Sequence, residues 1–205
     1  MQPIVKVRIA RVVENRSVRL RSMKARTITL CWLAVLGLYG WVEAQTRSSA
    51  KGEQEAVRAF VQQFYAWYVP RALEPRGGDA SDLALKYKRQ LFSAELFRAL
   101  KDDSDAQAKV KGEIVGLDWD PFLNSQDPCS RYEVGSATRD WAGVYSVEVF
   151  GVCWGRRSDK PEVIAKVGRE HGRIVFVNFS AGRDGDLLAA LRLSRQARER
   201  SKPTP

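Results

Sequence analysis

Three carboxylates stand close together between residues 116 and 129, in the run Gly116-Leu117-Asp118-Trp119-Asp120-Pro121-Phe122-Leu123-Asn124-Ser125-Gln126-Asp127-Pro128-Cys129. Asp118, Asp120 and Asp127 are the type of ligand a hard cation takes, but this run lacks the glycine and the closing glutamate that an EF-hand loop needs at its sixth and twelfth positions. No metal site is therefore expected. Asp and Asn here are read as residues that fix turns by bonding their own backbone, while Trp119 and Phe122 plug the open end of a core. His171 is the chain's one histidine. It falls in Glu170-His171-Gly172, a hairpin-turn signature, and so away from any concave face. Without another histidine, nucleophilic triads lack a base and His/Cys zinc sites lack ligands. No cofactor is expected.

A different chemistry remains open to these residue types. A carboxyl group kept in an apolar site can serve as the acid or base of an isomerase or dehydratase. The residues suited to that role are Asp118, Asp120 and Glu148, with Tyr65 or Tyr68 as hydrogen-bond donor. Alternatively Phe64, Trp67, Tyr68, Trp119 and Phe122 offer flat amphipathic surface for a ligand or a partner protein. The bland reading of the same aromatic stripe is plain core.

Positioning these groups takes a helical half followed by a strand-rich half. Residues 45–52 are polar and read as a flexible start. From Glu53 apolar residues recur at Val57, Phe60, Val61, Phe64, Trp67 and Tyr68, one face of an amphipathic helix that Pro70 should stop. Pro75, Gly77 and Gly78 mark a loop. Ser81-Asp82 offers a cap for a second helix, and Ser93 a start for a third, with Leu96, Phe97 and Leu100 on its apolar side. After the 116–129 run come four strand-like segments, 132–138, 144–154, 162–168 and 173–180, joined by connections short enough to make them antiparallel. Asp186 caps a final helix whose basic end, Arg192 to Arg200, suits the negative end of the dipole. The expected fold is α+β, with the helices on one face of a curved four-stranded antiparallel sheet forming a cone. The domain spans 53–181, followed by a C-terminal helix and basic tail over 182–205.

The first 44 residues read as a leader. Lys24 and Arg26 precede an apolar run of 14 residues at 28–41, and Val42-Glu43-Ala44 has the small residues a signal peptidase reads. A retained membrane anchor is the alternative, though the run falls short of the roughly 20 residues that span a bilayer. The arginine-rich stretch before Met23 points to Met23 as the true start. Of the formal charge of +10, +6 belongs to residues 1–44 and +4 to the rest. The remainder is too weakly basic to call for a nucleic-acid partner. Cys129 and Cys153, an even pair in an exported chain, read as one disulfide worth very roughly 3 kcal/mol, with two buried thiols as the alternative.

The aromatic helix Phe64-Tyr65-Ala66-Trp67-Tyr68 and the run Asp118-Trp119-Asp120-Pro121-Phe122-Leu123-Asn124-Ser125-Gln126-Asp127 together resemble the domain-of-unknown-function family 3828. The resemblance covers about 53–179. It implies a bacterial exported protein or lipoprotein of the nuclear-transport-factor-2-like, cystatin-like superfold, and brings no catalytic residues. The combined expectation is a periplasmic or secreted, non-catalytic protein. It would bind a protein or small molecule of the cell envelope through the concave sheet face or the 116–129 loop, without nucleic acid or a stable membrane anchor.

Overall fold

A computed structural model describes residues 50–74, 79–110, 112–181 and 185–201. The leader over 1–44, the start at Met23, the loop at Pro75, Gly77 and Gly78, and the last residues of the tail lie outside them. Among the described residues no helix is long and apolar enough to cross a membrane.

The first helix, α1, runs through residues 50–72. It thus includes residues 50–52 of the stretch expected to be flexible and continues past Pro70. A proline in the last turn deletes one N–H but need not end the helix at once. The chain leaves helical geometry at Leu73, whose N–H still reaches the Val69 carbonyl at 3.1 Å. Helix α2 (Ala80–Tyr87) is capped by the Asp79 side chain instead of by Ser81 or Asp82. A 3₁₀ turn (Arg89–Leu91) leads to α3 (Ala94–Gln107), where the Ser93 hydroxyl accepts from the Leu96 N–H at 3.2 Å. Helix α4 (Leu187–Arg200) starts on Asp186, which accepts from the Ala189 N–H at 2.9 Å. These are N-cap interactions, each satisfying a helical N–H that has no partner within the helix.

Among the described residues the sheet is antiparallel and has six strands: β1 (Arg131–Arg139), β2 (Tyr145–Cys153), β3 (Arg156–Arg157), β4 (Val163–Glu170), β5 (Arg173–Ala181) and β6 (Gly185–Asp186). Its order is β1-β2-β4-β5-β6, with β3 folded back on β2. The four long strands occupy the four strand-like segments of the sequence; the two-residue strands β3 and β6 had no periodicity to announce them. The expected 144–154 segment ends one residue early. Trp154 and Gly155 take positive φ, 49° and 77°, and form the turn into β3, which leaves Trp154 95% exposed. His171 and Gly172, at φ 51° and 76°, turn β4 into β5. Paired positive φ values match the right-handed twist of a hairpin. The structure is thus a mixed α+β fold on an open antiparallel sheet.

One sheet face is covered by helices, and the core lies between. Val57, Val61, Phe64, Tyr65 and Tyr68 of α1 bury themselves with Val147, Val149, Ala165, Val167, Phe176 and Phe179 of the strands. The polar flank of α1 stitches the β1 edge. Gln54 donates to the Ala137 carbonyl, Arg58 to the Gly135 carbonyl at 2.8 Å, and Gln62 accepts from the Val134 N–H at 3.2 Å. These residues are four apart, so they form one row of the helix. They serve the stretch between Val134 and Ala137 where the β1–β2 register slips. An edge strand otherwise exposes such groups as a template for another chain.

Candidate functional site

Residues 112–130 contain no helix or long strand and close over one end of the core. Phe122 is fully buried at the centre of an aromatic cluster, with ring centroids 5.1 Å from Tyr68, 5.1 Å from Phe179, 5.3 Å from Phe92 and 5.4 Å from Phe64. Such spacing and tilt are favourable for ring pairs and leave no room between them for a ligand. Leu123 is buried beside it. The Cys129–Cys153 disulfide ties the end of the loop to the end of β2.

Asp120 holds the turn. Its Oδ1 accepts from the N–H groups of Phe122 at 2.9 Å and Leu123 at 3.0 Å, and its Oδ2 accepts from the Tyr68 hydroxyl at 2.7 Å. Its backbone N–H donates to the Ser125 carbonyl at 3.1 Å, and its carbonyl accepts from Asn124, which sits at φ 51°. Burial pushes the Asp120 carboxyl above the usual range, against the pull of these three donors. The Tyr68 phenol is pushed well up, first by burial and then by the Asp120 charge. Tyr65 donates to the Phe122 carbonyl at 2.7 Å, and burial likewise pushes its phenol well up. Of the candidate carboxylates and tyrosines, Asp120 and Tyr68 are thus hydrogen-bonded to each other. Both carboxylate oxygens are engaged in holding the fold.

The other expected site residues separate. Phe64, Tyr68 and Phe122 are 2%, 0% and 0% exposed, so they are core and not a ligand-binding surface. Trp67 is half-buried, with the Arg71 guanidinium 4.3 Å and the Lys88 ammonium 5.0 Å from its ring centroid. Glu148 is not inside the core: it alternates with Val147 and Val149 and accepts from the Ser136 hydroxyl at 2.7 Å. Asp118 and Asp127 are exposed. Trp119, expected to plug the core with Phe122, is 36% exposed and faces outward. Among the described residues no group of three or more His, Cys, Asp and Glu side chains is placed to hold a metal ion.

Outward from the plug runs an open groove of about 510 Å³ lined by Asp79, Gln107, Ile114, Asp118, Trp119 and Gln126, with Asp120 at its floor. Its described lining has three carboxylates and no Lys, Arg or His. Gln126 donates to the Asp118 carbonyl at 2.9 Å, and Ile114 is 70% exposed. Asp79, Gln107 and Ile114 had no signal in the sequence. The outer wall is fastened to α3 by Asp103, 6% exposed, which accepts from the Leu117 N–H at 2.8 Å and pairs with Arg198 of α4. A Cβ on Gly116 would lie 2.6 Å from the Asp103 Oδ2, so only glycine allows this approach.

Fold and rim define an α+β domain with a filled core and a capped, acidic rim. The chain matches no family model, no curated protein and no solved structure.

Proposed function

We propose that this protein is a non-catalytic binding protein that works outside the cytosol and holds a segment of a partner protein, or a small ligand, in the groove beside Trp119. The observation that carries this reading is the division of labour in one loop: Phe122 and Leu123 fill the core while Trp119 is left facing a groove. An aromatic at the centre of a concave, partly apolar surface is the usual anchor of an interface. The surrounding carboxylates favour a ligand that presents Lys or Arg. The proposal also takes the domain to be a cystatin-like cone of the family-3828 kind, exported by its leader to the periplasm or beyond, where a Cys129–Cys153 disulfide is kept oxidised.

One observation favours a second reading, an isomerase- or dehydratase-type enzyme: the raised carboxyl of Asp120 against the Tyr68 hydroxyl. A catalytic base needs a free lone pair within reach of substrate. Asp120 accepts three hydrogen bonds, all from groups that hold the loop over the core, which favours a structural role for it over a catalytic one.

The test is capture from a cell-envelope extract on immobilised 45–205 chain, run beside Trp119→Ala. A partner retained by the first and lost by the second supports the reading. Recovery of no partner, or equal recovery on both, overturns it.

A further inference from the structure

A second groove, away from the rim, has the opposite character. It lies between the first half of α3 and the β4–β5 hairpin, has a volume of about 560 Å³, and is lined by Arg89, Phe97, Arg98, Lys101, Glu170 and Arg173 among others. All four cations are exposed. Lys101 pairs with Asp105 of its own helix, whereas Arg89, Arg98 and Arg173 have no carboxylate within ion-pair distance among the described residues. Arg89 lies with its guanidinium 4.8 Å from the Phe97 ring centroid, which holds its fork at the groove wall. The one carboxylate of the lining, Glu170, is already engaged: both its oxygens accept from the Ala94 N–H, at 3.1 and 3.3 Å. The helix terminus is therefore filled from within, and the arginines are left facing solvent.

We propose that this groove binds a ligand through phosphate groups. Three arginines from three different elements converge on it, and guanidinium forks match phosphate oxygens two at a time. The half-buried face of Phe97 offers the apolar contact that the carbon part of a phosphate ester needs. Three arginines share the groove with one carboxylate, Glu170, so its lining keeps an excess of positive charge that a bound anion offsets. The phosphate can belong to a soluble ester or to a lipid headgroup. The site is separate from the Trp119 groove, so the two proposals stand or fall independently.

The experiment uses the full chain in two arms. Inorganic pyrophosphate is titrated by calorimetry at low salt, and co-sedimentation is measured with vesicles of phosphatidylglycerol in phosphatidylcholine against phosphatidylcholine alone. Saturable binding is expected in at least one arm, weakening as salt is added. It should fall tenfold or more in Arg98→Ala/Arg173→Ala and stay unchanged in Trp119→Ala. Both arginines are exposed, so melting of the variant should match wild type. A second pair, Arg131→Ala/Arg156→Ala, removes the same charge elsewhere. Binding by pyrophosphate identifies the soluble source, and binding by anionic vesicles alone the headgroup. No binding in either arm, no loss in the Arg98/Arg173 pair, or equal loss in the Arg131/Arg156 pair overturns the proposal.

Discussion

The two grooves use opposite ends of the same helix. The first half of α3 supplies Phe97 and Arg98 to the basic groove and its middle Lys101, whereas Gln107, its last residue, lines the acidic one. Asp102, Asp103 and Asp105 fall in the second half, and the last turn has no basic residue. The helix dipole, which acts within the first and last turns, favours Glu95 at the start and disfavours Asp105 near the end by a few tenths of a kcal/mol each. The charge contrast between the two grooves therefore arises from how the elements are brought together, with Asp105 as the one charge of α3 set against the dipole. The grooves also differ in how they are built. The acidic one stands on a buried plug and a carboxylate that holds the loop by three hydrogen bonds. The basic one is an assembly of exposed side chains on elements that fold without them.

That difference is broken most severely at the plug. Phe122→Ala should cost about 3–5 kcal/mol, as for other large buried aromatics cut back in a packed core. Trp119→Ala, in the same loop but facing outward, should cost about 1 kcal/mol or less. Urea denaturation of the two variants measures both. If their midpoints fall equally, the loop is not divided into an inner anchor and an outer face.

Much of this architecture was legible in the residues. The three- and four-residue spacing of Val57, Phe60, Val61, Phe64 and Tyr68 located the buried face of α1, and alternation in Tyr145, Val147 and Val149 located the inner face of β2. Caps at Ser93 and Asp186 fell where the helices begin, because capping depends on local backbone alone. The site was harder to read. Trp119 and Phe122 belong to the same irregular loop, where no period says which side chain points inward; only the turn built on Asp120 sends one in and one out. Glu148 has apolar neighbours along the chain, which left both faces open to it; parity along β2 puts it on the face opposite Val147 and Val149. Asp103 belongs to a charged stretch, and its pairing with Arg198, far along the chain, depends on how α3 and α4 pack. The basic groove was invisible for the same reason: Arg89, Arg98 and Arg173 are ordinary charged residues until three elements bring them together.

The Asp120 carboxyl sharpens the comparison through pH. Burial raises its pKa in the folded protein, so from about pH 4, the ordinary aspartate value, up to that raised pKa the native state holds more proton than the unfolded chain. Its contribution to stability is therefore fully present below about pH 4 and is lost as pH rises through the folded pKa. Asp120→Asn keeps the Oδ1 that accepts from Phe122 and Leu123 and cannot titrate. It should remain within about 1 kcal/mol of wild type while removing that slope, whereas Asp120→Ala loses all three hydrogen bonds and should cost about 2–3 kcal/mol. Urea midpoints taken from pH 3 to pH 8 (a range set by the usual carboxylate values) test this. An unchanged slope in Asp120→Asn would show that another carboxyl, such as the raised Glu162, is responsible.

The smallest effect is expected at Asp105, which stands between the two surfaces. Its carboxylate lies in the last turn of α3, where the dipole disfavours it, and it pairs with Lys101 one turn earlier; both groups are half exposed. The first term destabilises by a few tenths of a kcal/mol and the second stabilises by about as much. Asp105→Asn removes both, so stability should move by no more than about 0.5 kcal/mol. What should change is Lys101. Released from its partner, the ammonium adds its full charge to the basic groove, and affinity for pyrophosphate, where the soluble ligand binds, should rise by about twofold to fivefold, with a steeper salt dependence. A variant neutral for folding that strengthens binding would place Asp105 as a counter-charge limiting that groove. If stability and binding both fall, the Lys101–Asp105 pair belongs to the scaffold, and the basic groove is three arginines without the lysine.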